Sequence, residues 1–182
     1  MKILNVKQTE WLSEAKKHIE AGEHSVFHTI IETPVVLVHR KSQIDENTCS
    51  ALGYDVYEAY YNGGTLVSNR GDLAFAHFCD RRNGWRDRFS AHFIKWLKDR
   101  GLNAACDKND IVVDGYKVCA TCVTTYGRID YSTIFVGVNT NLDDIRRICR
   151  KPMVKVPKGL SDYGITTEDV EQMFLDFCSN DT

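Results

Sequence analysis

The sequence has no apolar run long enough to cross a bilayer. One of its longest, Pro34-Val35-Val36-Leu37-Val38, falls far short of a membrane span. The N-terminus, Met1-Lys2-Ile3-Leu4-Asn5-Val6-Lys7, lacks the apolar centre of a secretory signal. Positive charge is not in excess: 23 Lys and Arg against 25 Asp and Glu leave −2 at pH 7. That balance argues against a general binder of phosphate backbones. Internal repeats and low-complexity tracts are absent. The 7 cysteines are odd in number and follow no secretion signal, so free thiols in a reducing compartment are the default. Cys119-Ala120-Thr121-Cys122 has the spacing of a zinc or redox pair, but no second pair follows and no helix starts there. It reads as a buried thiol pair. These absences predict a cytoplasmic protein with no nucleic-acid and no membrane partner.

What is present describes a globular chain of 182 residues, 43% hydrophobic and 26% charged. Trp11, Leu12, Ala15, His18 and Ile19 recur at helical spacing over Thr9 to Ala21, and Gly22 stops the run. Phe89, Phe93, Trp96 and Leu97 make the apolar stripe of a helix over Trp85 to Arg100, closed by Gly101. Shorter helices are predicted from Leu142 to Cys149, capped by Thr140 or Asn141, and from Thr166 or Thr167 onward, where Thr166 and Asp169 approximate a capping box. Strands are predicted at Pro34 to His39, Tyr54 to Tyr61, Asp72 to Cys79, Val118 to Thr125 and Tyr131 to Val138. Ile111-Val112-Val113 and Tyr116-Lys117-Val118 flank Asp114-Gly115 as a hairpin. Arg40 to Cys49 and the basic stretch Lys151 to Lys158 read as loops. Strands outnumber helices, which predicts an α+β domain with a mixed sheet and flanking helices.

Two motifs carry chemistry. Gly63 and Gly64 follow a strand and let a ligand approach the backbone, where bare N–H groups bind a carboxylate or phosphate. A plain hairpin turn has the same form. Lys117, just past the Asp-Gly turn, is either a solvated hairpin lysine or a fixed charge facing an oxyanion.

From about Glu14 to Ile165 the chain resembles the catalytic domain shared by lipoate-protein ligases, octanoyltransferases and biotin-protein ligases. Asn109-Asp110-Ile111, Gly115, Lys117 and Val118 match the family signature N-D-[IL]-x-x-x-G-x-K-[ILV]. Gly63-Gly64 and Gly71-Asp72-Leu73 are similar to its glycine loop and trailing Gly-[NQD]-Leu. Val38 to Gln43 with Asn47 is similar to the G-R-x-Q-N stretch of the lipoate ligases, and Val138 to Leu142 to a strand-to-helix junction of octanoyltransferases.

The resemblance implies a single catalytic domain over 1–182 without a C-terminal accessory domain. It implies a small carboxylic acid, lipoate, octanoate or a relative, activated with ATP and Mg²⁺ and passed to a lysine of a lipoyl-type or acyl-carrier acceptor protein. Lys117 would be catalytic. Asn109 and Asp110 would meet the nucleotide, with Asp110 as a Mg²⁺ contact. Tyr61, Asn62, Gly63, Gly64, Thr65, His77 and Ala120 would line the acid site. Octanoyltransferases of this fold instead form a thioester on a cysteine, and Cys149 and Cys106 lie near the two places used. The chain also departs from the lipoate members: Glu58, Ala59, Tyr60 and Tyr61 replace Arg-Arg-x-Ser, and Asn62 replaces the first glycine. A catalytically inactive binding protein that kept the fold is the remaining alternative.

Overall fold

The computed structural model describes residues 2–58 and 65–180. Among the described residues ten strands form two sheets. They are β1 (Ile3–Asn5), β2 (Ser25–Ile30), β3 (Val35–Val38), β4 (Asp55–Glu58), β5 (Leu66–Ser68), β6 (Leu73–Asp80), β7 (Ala104–Asp107), β8 (Asp110–Val113), β9 (Tyr116–Tyr126) and β10 (Ile129–Val136). The large sheet runs β1-β2-β6-β10-β9-β8-β7, and β4-β3-β5 makes the small one. Among the described residues only β1–β2 and β3–β4 are parallel strand pairs, so both sheets are mixed. The helices are α1 (Trp11–Ala21), α2 (Glu46–Ala51), α3 (Trp85–Asp99), α4 (Leu142–Ile148) and α5 (Thr167–Asn180). No helix among the described residues is long and apolar enough to cross a membrane.

Side-chain alternation along β6 sets the layers. Leu73 and Phe75 face α3 and α5, where Phe75 stacks on Phe174 at 3.9 Å and packs with Phe89 and Phe93. Ala74, Ala76 and Phe78 face the other way, against Phe27, Tyr131 and the α1 residues Trp11 and Ala15. Buried on both faces, β6 is apolar nearly throughout, as a central strand must be. A third, smaller cluster joins β3 to α2 and α4 through Val36, Val38, Ile44, Cys49 and Ile148.

Local signals hold where they are strong. Asp114 (φ 51) and Gly115 (φ 82) both take the positive φ that a two-residue hairpin turn requires. The Thr166 amide is bonded by Asp169 Oδ2 at 2.9 Å and the Asp169 amide by Thr166 Oγ1 at 3.2 Å, a reciprocal capping box. The structure differs at Arg40 to Cys49, which includes the start of α2. Asp45 caps that helix by accepting from Thr48 N at 3.0 Å. Cys119 and Cys122 sit three residues apart on one strand, so their side chains leave opposite faces of the sheet. Cys49, Cys79, Cys106, Cys119, Cys122 and Cys149 are free thiols.

Candidate active site

A cleft opens between the two sheets, on the face of the large sheet away from α3. Leu66, Ser68, Lys117, Ala120, Phe135 and Thr140 are among its walls, and its space, open to solvent, is about 360 Å³. Lys117 reaches it because of a β-bulge. Ile111 pairs with Cys119 but Val112 pairs with Lys117, which leaves Val118 as an extra residue. The shift puts Lys117 on the same face as Ala120, whereas unbroken alternation would turn it under α3. The backbone of Lys117 is then fixed from the other side. Its N–H donates to Val156 O at 2.9 Å, and its carbonyl accepts from Lys158 N at 2.9 Å.

The charges around Lys117 form one array. Lys117 Nζ lies 2.9 Å from Asp110 Oδ1. The other oxygen of Asp110 accepts from Lys155 Nζ at 2.8 Å, and Lys155 also donates to Asp107 O at 2.7 Å. Burial works to raise the Asp110 carboxyl pKa, but hydrogen bonds from Lys155 and Lys117 outweigh it and hold the group below its usual range. Asp110 opens β8 directly after the turn at Lys108 and Asn109, and the Asn109 carbonyl is held by Thr121 N at 2.7 Å and Thr121 Oγ1 at 2.9 Å. On the α3 side of this turn, Asn109, Cys106 and Thr121 face Arg86 and Ser90 across a groove of about 550 Å³.

A second, apolar recess lies between the sheets and α1, walled by Trp11, Leu12, Ile31, Leu37, Tyr57 and Ala74; its space, open to solvent, is about 480 Å³. Phe135 belongs to both spaces, and Leu37 of the recess pairs across the small sheet with Leu66 of the cleft. The two therefore adjoin at Phe135.

Of the residues marked out by sequence, the structure brings Lys117, Asp110, Asn109 and Ala120 into one region, with Thr65 just ahead of β5. Tyr61, Asn62, Gly63 and Gly64 lie outside the described residues. His77 is on the helix face of β6, 4.7 Å from the Trp85 ring, and so is turned away from the cleft. Cys149 packs against the third cluster, where burial pushes its thiol up. Cys106 is exposed on β7, its Sγ 3.2 Å from Lys108 O. Lys155 and Phe135 escaped the sequence reading. The alternation Val154-Lys155-Val156 in the basic stretch was the available signal for the first. Nothing local marks the second.

The chain belongs to the lipoyl protein ligase A/B catalytic domain family, whose model matches residues 4–176. Among solved structures, P. falciparum LipL1 in complex with lipoate is 14% identical at a TM-score of 0.81, covering 98% of this chain and 61% of that one. A bipartite lipoate protein ligase from Thermoplasma acidophilum, described with its E2 lipoyl domain, is 14% identical at 0.79, covering 99% and 82%. A lipoate-protein ligase A bound with ATP is also 14% identical at 0.79, covering 99% and 83%. No curated protein matches the chain significantly.

Proposed function

We propose that this protein is a lipoate- or octanoate-protein ligase-like enzyme, which activates a small carboxylic acid as an acyl-adenylate and passes the acyl group to a lysine of a carrier protein. One observation carries the reading: an ammonium group, Lys117, stands in a cleft that adjoins an apolar recess at Phe135. A cation for the head group and an apolar recess for the tail are what a medium-chain acid needs. Burying the six methylenes of an octanoyl tail at roughly 0.8 kcal/mol each would supply about 5 kcal/mol, so the tail dominates affinity. The names of the solved neighbours, which mention lipoate, ATP and a lipoyl domain, agree with this chemistry.

In this reading one carboxylate oxygen of the acid attacks the α-phosphorus of ATP, and the bond to pyrophosphate breaks. The acceptor's lysine amine then attacks the acyl carbon, AMP leaves, and the amine loses a proton. Lys117 neutralises the carboxylate in the first step and the charge that builds on the acyl and phosphoryl oxygens in the second. Asn109 and Asp110 sit one strand away and would meet the nucleotide. No group of three or more His, Cys, Asp or Glu side chains suited to a metal exists among the described residues. Both oxygens of Asp110 already face lysines, Lys117 at 2.9 Å and Lys155 at 2.8 Å, so a Mg²⁺ brought with ATP would be carried mainly by phosphate oxygens, which such ions prefer to an all-protein cage.

The test is pyrophosphate release with ATP, Mg²⁺ and a panel of lipoate, octanoate and biotin. We expect turnover with an acyl acid and a loss of about 10²–10³-fold in Lys117→Ala, the usual cost of one oxyanion-stabilising group. Silence across the panel, or turnover indifferent to Lys117→Ala, would overturn the assignment.

A further inference from the structure

Lys155 lies in a segment that turns its charge inward and its apolar side chains out. The Lys155 side chain is 16% exposed, whereas Val154 is 98% exposed and Val156 39%. Hydrophobicity alone would favour the reverse; backbone bonds from Lys117 N to Val156 O and from Lys158 N to Lys117 O, each 2.9 Å, tie the segment to β9. Lys155 Nζ reaches Asp110 Oδ2 at 2.8 Å, Asp107 Oδ2 at 2.9 Å and Asp107 O at 2.7 Å, which uses all three of its donors. It has none left for a ligand.

This arrangement answers a difficulty in the cleft. An ammonium meant to receive an anion stands 2.9 Å from a carboxylate that would cancel its charge. Asp110 is shared, however: one oxygen faces Lys117 and the other faces Lys155. Lys117 and Lys155 with Asp110 and Asp107 carry no net charge together. With Lys155 removed the three that remain sum to −1, and Lys117 is the one cation among them.

We infer that Lys155 is a positioning residue, the counter-cation that occupies Asp110 and so leaves Lys117 free to bind the oxyanion of its substrate. The inference rests on the reading of the cleft given above. It adds a residue, from a part of the chain far from the lysine motif, on which the strength of that motif depends.

Calorimetry in metal-free buffer separates the two ideas, with octanoate as a carboxylate probe and inorganic pyrophosphate as a phosphate probe. We expect Lys155→Met to weaken binding of the probe that fits by about tenfold, the scale of a lost charge partner at a half-buried site. Lys155→Arg should bind within about threefold of wild type, because the charge is kept. The deciding comparison is made in Asp110→Asn. There Lys117 has no carboxylate to escape, so adding Lys155→Met should cost no more than about threefold. An equal loss in both backgrounds would show that Lys155 acts by holding the segment in place, and would overturn the inference. So would a Lys155→Met variant that binds as wild type does. A wild type that binds neither probe, or binds equally well as Lys117→Ala, would instead overturn the reading of the cleft.

Discussion

Asp72 shows how one buried carboxylate ties distant segments together. Its side chain is 2% exposed and accepts from Asn69 N at 2.7 Å and from Val138 N and Asn139 N at 2.8 Å each. It thus joins the turn before β6 to the junction between β10 and α4. Burial pushes its carboxyl up to about 6, against the three amides, which favour the charged form. In the unfolded chain the group would titrate near 3.8. Between those values the folded state holds a proton that the unfolded chain has released. The contribution of Asp72 to stability therefore falls as pH rises from about 4 to about 6 and is constant above, a change on the order of 2–3 kcal/mol. Asp72→Asn has no such titration. Urea unfolding at pH 4.5 and pH 7 should show the wild type's advantage over this variant shrinking toward pH 7. An advantage that grows would mean that the amides win over burial. The sequence placed Asp72 in a Gly-Asp-Leu motif but carried no sign of Val138 and Asn139, the partners that lie more than sixty residues away.

Among the elements, those with a pattern of their own were legible. The amphipathic stripe of α3, the Asp-Gly hairpin and the Thr166–Asp169 cap each need only near neighbours. The strands β1, β2 and β7 and the helix α2 were not seen, because three to six residues hold too little periodicity, and pairing with another strand or packing on a cluster decides their form. Ile3 pairs with Val26 and Ala104 with Val113, partners that no local window contains. The junction after β10 adds a steric constraint. A Cβ on Gly159 would lie 2.5 Å from Val138 O and 2.9 Å from Thr140 N. Both are backbone atoms, so neither can swing aside. Gly159→Ala should force the segment off the Val138–Thr140 turn that walls the cleft and lower stability by about 1–3 kcal/mol in urea unfolding, the range of an overpacked site. An unchanged midpoint would show that the turn yields.

For the whole molecule, the key feature is the space left between the two sheets. The recess at Trp11, Leu37 and Ala74 has contributions from α1, the small sheet and the large sheet, so a tail within it touches every layer on that face. Chain length of the acid should then set affinity. Octanoate has four more methylenes than butyrate, which at about 0.8 kcal/mol each predicts binding stronger by about two orders of magnitude. Calorimetry with the two acids checks this. Equal affinities would mean that the tail stays in the cleft and the recess is only a packing gap.

The residues by themselves determined the order of motifs, and with it the family, since short-range spacing such as Asn109-Asp110 to Lys117 survives without any contact being known. They also determined the helices and turns whose stabilising partners lie within a few positions. The tertiary structure alone decided which face Lys117 takes, because that depends on a bulge against β8, and which charge balances Asp110, because Lys155 arrives from a segment 45 residues further along. Electrostatic coupling acts through space at a few ångströms. The chain records its members only as separate letters until folding brings them together.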